Sequence, residues 1–170
     1  TGILILPQRQ TALVAKQAAE IDILSGGRLK LGIGVGWNHV EYEALGCEWK
    51  TRGIKQGEQI EVLRKLWTEE LVTFEGRFHN YFEVTIVPAP KQRPIPIWLG
   101  GSADSVIKRA AKLGDGWMPI LSPDDSGKVA LEKLHNHLEE FGRKRENFGI
   151  EAWLRFDKNT PQAWAESADG

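Results

Sequence analysis

The chain has one cysteine, Cys47, and one methionine, Met118, in 170 residues. A lone cysteine excludes an internal disulfide and points to a reducing compartment. An excess of either charge is also missing: 22 basic side chains stand against 23 acidic ones, a net of −1. That balance carries no footprint of a polyanion, so no nucleic acid is expected as a partner. No apolar run approaches the roughly 18 residues needed to cross a bilayer, so no membrane segment is expected. His39 and Glu41 lack the further ligands a metal site needs, so no metal is expected either. A cytoplasmic protein is the class these absences leave. The chain enters an apolar run at once, Gly2-Ile3-Leu4-Ile5-Leu6, and stops at Ala168-Asp169-Gly170 in what reads as a young helix. A piece of a longer protein is therefore expected.

Glycine is plentiful and placed with a pattern. Apolar β-type runs meet glycine three times: Leu29–Gly36, Ile95–Gly101 and Gly114–Pro119. At the carboxyl end of a strand, glycine lets backbone N–H groups approach a ligand with no Cβ in the way. A helix beginning there adds the positive end of its dipole, which is how α/β proteins hold phosphate. A phosphate-bearing ligand at one end of a parallel sheet is the expectation.

Strands are expected over 2–6, 29–35, 95–99, 115–120 and 149–156. The first helix is expected to start at a Thr11 cap, with Leu13, Val14, Ala18, Ile21 and Leu24 inward. A second covers 54–67 through Ile60, Leu63, Leu66 and Trp67. Residues 72–79 read as a small hairpin with a Glu-Gly turn, and 83–96 hold four prolines, so 71–94 form an excursion from the main sheet. Ser102 is expected to cap a helix through Val106, Ile107, Ala110 and Leu113. Asp124 or Asp125 caps another through Leu131, Leu134, Leu138 and Phe141, and Thr160-Pro161 opens a fifth. A strand–helix unit that recurs five times means a parallel sheet with right-handed crossovers. Five such units suit a complete doubly wound domain or part of an eight-stranded barrel. Spacing alone favours neither; the ends of the chain favour the barrel.

Leu6-Pro7-Gln8-Arg9, Ala15-Lys16-Gln17-Ala18-Ala19 and Leu24-Ser25-Gly26-Gly27-Arg28-Leu29 resemble the bacterial luciferase-like family. The likeness continues through Gly34-Val35-Gly36-Trp37-Asn38, Glu41 and Glu43-Ala44-Leu45-Gly46. Pro96-Ile97-Trp98-Leu99-Gly100-Gly101 and Ala110–Trp117 complete it. The resemblance implies one interrupted (β/α)8 barrel domain over 1–170 that lacks its first two strands and its last. It implies FMN or the deazaflavin F420 in the barrel mouth, with hydride or oxygen-transfer chemistry on a small-molecule substrate. The strand edges that the missing strands leave unpaired would recruit other strands, so a homo-oligomer is expected. It also implies a non-prolyl cis peptide at Gly2-Ile3 beside the cofactor ring. Some FMN-binding members carry a basic residue where this chain has Val35 and Gly36, a departure that leans toward F420.

The site residues expected on this basis are few. Gly34, Val35 and Gly36 would lend backbone groups to the cofactor, although a tight strand–loop turn accounts for them equally. Gly100, Gly101 and Ser102 make the better phosphate cradle. Asn38 would bond the cofactor's polar chain, or only make an Asx turn. His39 is the candidate acid or base. Trp117 would wall a planar ring, as would Trp98 or Trp37, unless they are packing residues. Trp153 and Trp164 read as packing, His135 and His137 as surface, and His79 as lacking a partner. Two rival functions remain: a doubly wound domain binding a nucleotide or phosphorylated metabolite, and a non-catalytic barrel remnant.

Overall fold

The structure, a computed structural model, describes residues 1–122 and 124–153. It contains two compact units that divide between Ile97 and Trp98.

In the first unit, β1 (Leu4–Ile5) runs into a single 3-10 turn, Leu6–Gln8, with Pro7 in it. This turn ends the strand one residue earlier than its apolar run, because proline offers no N–H to a neighbouring strand. α1 (Thr11–Leu24) follows, then β2 (Leu31–Gly34), which pairs parallel with β1 through Leu4↔Ile33 and Ile5↔Gly34. All four residues of β2 are buried, as befits a parallel strand covered on both faces. A short helix that local periodicity did not announce, α2 (His39–Ala44), leads to α3 (Arg52–Thr68). Ile60, Leu63, Leu66 and Trp67 of α3 are buried, as their spacing predicts.

α1 turns the other way from its expected face. Its buried side is Val14, Ala15, Ala18, Ala19 and Asp22, while Leu13, Ile21 and Leu24 are exposed. The reason is close packing against α3. The alanines let the Trp67 indole lie on α1, where its N–H donates to the Ala15 carbonyl at 3.0 Å. Asp22 accepts from the backbone and side chain of Gln92 at 2.9 and 2.7 Å, so it fastens the proline-rich segment to α1. Burial raises the Asp22 carboxyl, but these hydrogen bonds outweigh it and hold the group below its ordinary range. Two peptide bonds of that segment, Val87-Pro88 and Arg93-Pro94, are cis.

β3 (Val72–Glu75) and β4 (Asn80–Val84) form a separate antiparallel pair, so the excursion is real. The turn, however, is Gly76–His79, where the expected second arm was to begin. Gly76 N–H donates to the His79 carbonyl at 2.8 Å. The N–H groups of Arg77 and Phe78 go to the Glu58 carboxylate on α3 instead of to a partner strand.

The second unit continues β5 (Ile97–Gly100), then α4 (Asp104–Leu113), β6 (Gly116–Met118), α5 (Asp125–Glu140), a 3-10 turn at Arg145–Asn147 and β7 (Gly149–Ile150). From Trp98 on, β5, β6 and β7 are parallel neighbours, with Trp98, Gly116 and Gly149 in one row and Leu99, Trp117 and Ile150 in the next. The rows face opposite sides of the sheet. The Trp98 indole lies across both glycines of its row: a Cβ on Gly116 would stand 2.4 Å from it, and one on Gly149 2.1 Å. These glycines make room for an indole rather than for a ligand. Val106, Ile107, Ala110, Leu134 and Leu138 are buried as expected, and α4 packs on α5. Trp153 is exposed, although it bridges to Ile120, so it is not the packing residue expected. His135 and His137 are half-buried rather than surface groups. Burial lowers the His135 imidazole below its ordinary value. The expected fifth helix, Trp164 and residues 154–156 of the expected last strand lie outside the described residues.

Candidate functional site

Gly101 has φ +117°, a conformation that favours glycine over every L-residue. It turns the chain from β5 into α4. The cap residue of that helix is Ala103, not Ser102, and no side chain caps it. Ser102 is spent elsewhere: its hydroxyl donates to the Ile120 carbonyl at 3.3 Å. Val106 and Ile107 N–H are satisfied by the Ala103 carbonyl. The N–H groups just before them lie at the positive end of the helix dipole, where an α-helix has no backbone acceptor for them. A cleft of about 520 Å³ opens there, lined by Ser102, Asp104, Ser122, Ser126 and Lys133 among others. Lys133 is paired with Asp104 at 2.7 Å. The start of α5, by contrast, is closed by Asp124, whose carboxylate accepts from Ser126 and Gly127 N–H. Of the two helix starts beside the cleft, only that of α4 lacks a side-chain cap.

Trp117 does not present its ring to a ligand. It is 0% exposed, and its indole N–H donates to the Gly101 carbonyl at 2.7 Å. Trp98 is likewise buried, whereas Trp37 is 88% exposed.

In the first unit, the peptide bond Gly2-Ile3 is cis. Ile3 sits over Gly34, where a Cβ would stand 2.9 Å from its Cγ2, and Ile5 sits similarly against Gly36. The space beside these glycines is filled by the Ile3 and Ile5 side chains, so tight packing accounts for both. The carbonyl of Val35 accepts from the Tyr42 hydroxyl at 2.6 Å, and burial pushes that hydroxyl up to about 12. Asn38 takes the plain role: Oδ1 accepts from Val40 N–H, and Nδ2 donates to Glu41. It is the N-cap of α2. His39 is exposed, with its ring edge-on to Trp49 at 6.3 Å between centroids.

The sequence reading missed one cluster entirely. His79, expected to lack a partner, has two. Its Nδ1 meets Glu58 Oε1 at 2.7 Å, and its Nε2 meets Thr11 Oγ1 at 2.6 Å. Gln59 Nε2 donates to the same hydroxyl at 3.0 Å and to the Leu6 and Arg9 carbonyls. Thr11 is therefore not the helix cap it was expected to be; α1 is capped at Gln10, without a side-chain bond. Hydroxyl, imidazole and carboxylate stand in the order of a nucleophilic triad. Yet Thr11 is 3% exposed and His79 8%. With Gln59 also on the hydroxyl, there is no path for a substrate, and the cluster is a fastener between the hairpin, α3 and α1. Burial raises the Glu58 carboxyl, but the bonds from His79, Phe78 and Arg77 outweigh it and hold the group below the usual glutamate range. No local pattern marks this cluster, because its members are 21 and 68 residues apart. Among the described residues, no group of three or more His, Cys, Asp or Glu is placed to hold a metal, and no helix is long and apolar enough to cross a membrane.

Comparison with known proteins places this geometry in context. A family model described as luciferase-like monooxygenase matches residues 1–169. An uncharacterized protein of Mycobacterium bovis is 43% identical over 141 residues, which cover 83% of this chain and 48% of that protein. The F420-dependent glucose-6-phosphate dehydrogenase of Kineococcus radiotolerans is 33% identical over 159 residues, 89% of this chain and 47% of that enzyme. The FMNH(2)-dependent dimethylsulfone monooxygenase of Pseudomonas putida is 36% identical over 108 residues, 61% of this chain and 30% of that one. Among solved structures, the monooxygenase RslO1 of Streptomyces bottropensis superposes with a TM-score of 0.74 at 27% identity, covering 87% of this chain and 48% of that one. The chain spans about half the length of the curated relatives it matches. The structural neighbours are (β/α)8-barrel enzymes, so the βα units belong to part of a barrel and not to a doubly wound domain.

Proposed function

The chain belongs to the luciferase-like monooxygenase family, and from that premise we propose that its protein is an oxidoreductase that binds F420 or FMN and acts on a small molecule. Relatives of both cofactor types stand behind this reading. When bound, the cofactor supplies hydride or oxygen-transfer chemistry, and the protein supplies position and exclusion of water. The observation that carries the proposal is the start of α4. Gly101 in a left-handed turn, a helix start that no side chain caps, and the cleft beside it together fit a phosphate group. Gly100, Gly101 and Ser102 would hold that phosphate through backbone N–H groups. The carboxylates of Asp104 and Asp125 also line the cleft, so an anion sits at the backbone end of it, away from them.

The remaining assignments are part of the same proposal. Gly2, Ile3, Gly34, Val35 and Gly36 belong to the ring end, Asn38 shapes the loop after β2, and His39 is the acid or base. Val35 and Gly36, where a basic side chain would stand in some FMN-binding members, lean the proposal toward F420. The protein is proposed to be cytoplasmic, which the single free Cys47 supports. It is proposed to be a homo-oligomer, which the exposed stripe Leu13–Ile21–Leu24 on α1 supports. Titration of the purified protein with F420 and with FMN, followed by visible absorbance and fluorescence, tests the reading. Saturable binding of either supports it. Binding of neither refutes it and leaves the non-catalytic remnant.

A further inference from the structure

Among the described residues, two hydrogen bonds fasten the Gly100–Ser102 loop, one from β6 and one to a residue just after it. The Trp117 indole N–H donates to the Gly101 carbonyl at 2.7 Å, and the Ser102 hydroxyl donates to the Ile120 carbonyl at 3.3 Å. The first is the stronger, being short and made by a fully buried donor. Trp117 stands beside Leu99 in the sheet register, one residue before Gly100 pairs with Met118. Its reach is therefore set by two parallel strands and not by a loop. A carbonyl held from one side fixes the orientation of the peptide plane between Gly101 and Ser102. That plane carries the Ser102 N–H, the first donor a phosphate would meet on entering α4.

We infer that Trp117 is the positioning residue of this anion cradle: it touches no ligand, and it sets the direction of the Ser102 N–H by holding the Gly101 carbonyl. This inference rests on the reading of Gly100–Ser102 as a phosphate cradle. Gly101 has no Cβ, and at φ +117° its peptide would otherwise turn with little steric resistance. An unheld peptide presents its N–H to the anion only part of the time, and affinity falls by that fraction. The buried indole removes that freedom before the anion arrives, which is preorganisation.

The test is Trp117→Phe in the whole protein. The change keeps an aromatic ring in the core and removes only the N–H and part of the ring area. Affinities are measured for the cofactor that binds, FMN or F420, and for its phosphate-free counterpart, riboflavin or the bare deazaflavin chromophore. Loss of one buried hydrogen bond and of the fixed peptide predicts about a five- to tenfold weaker phosphorylated cofactor. The phosphate-free form should be unchanged. An equal loss for both forms would make Trp117 an ordinary packing residue and overturn the inference, as would no loss for either. Wild-type protein that binds the two forms equally well would instead refute the cradle itself. Should Trp117→Phe fail to fold, Trp117→Leu, which also lacks the indole N–H, takes its place. It should weaken only the phosphorylated form; no difference between forms would then overturn the inference.

Discussion

Removing the Glu58 carboxylate should loosen the hairpin from the rest of the first unit. Its two oxygens accept three donors: Arg77 N–H and Phe78 N–H, both at 2.8 Å, and His79 Nδ1 at 2.7 Å. In Glu58→Ala, the exposed Arg77 N–H finds water at little cost. The half-buried Phe78 N–H and the buried His79 imidazole do not. A buried donor without a partner costs about 1–3 kcal/mol, so two of them bring the loss to about 3 kcal/mol. Against a total stability of about 5–15 kcal/mol, that is a large share. Urea unfolding at constant m measures it directly, and with m near 2 kcal/mol per molar the midpoint should fall by about 1.5 M. Hydrogen exchange at the Arg77 and Phe78 amides should accelerate in parallel. Glu58→Gln keeps one acceptor oxygen and the shape, so it should lose about half as much. The pH dependence has a definite sign. The folded carboxyl is held below its ordinary value, so its contribution is complete above about pH 4.5 and is lost as pH falls through the folded value. The gap between wild type and Glu58→Gln should therefore be constant near neutrality and close in acid. A Glu58→Ala protein within about 0.5 kcal/mol of wild type, with hairpin amides exchanging as before, would refute the fastener.

Two further outcomes follow from the glycines. Gly149→Ala would put a Cβ 2.1 Å from the Trp98 ring and should cost about 1–3 kcal/mol by overpacking; in a Trp98→Leu background most of that cost should vanish, and additive losses in the double-mutant cycle would show that the two do not touch. Gly101→Ala should both lower the melting temperature, because φ +117° strains any L-residue by about 1–3 kcal/mol, and weaken the cofactor; a lower melting temperature with unchanged cofactor affinity would remove this loop from the site.

The chain's linear pattern was enough for its alternation of strand and helix, the buried stripe of α3, the excursion at 71–94 and the glycine loop before α4. Each depends on neighbours a few residues apart, where periodicity and backbone freedom act directly. Order and separation of short motifs were enough to identify the family, and the Gly2-Ile3 cis bond came with that resemblance. Tertiary structure decided the rest. α1 hides its alanines and exposes its leucines because Trp67, more than 50 residues later, needs a flat surface. His79 looked solitary until Glu58 and Thr11 arrived from two other elements. Gly116 and Gly149 carry no local sign of the partner they make room for, the Trp98 indole that the fold lays across them. Trp117 looked like a wall for a ring and proved to be a buried donor to Gly101. In every such case the deciding partner is remote in the chain. Which face is buried, and whether a glycine admits a ligand or an indole, is a property of the packed neighbour and not of the local sequence.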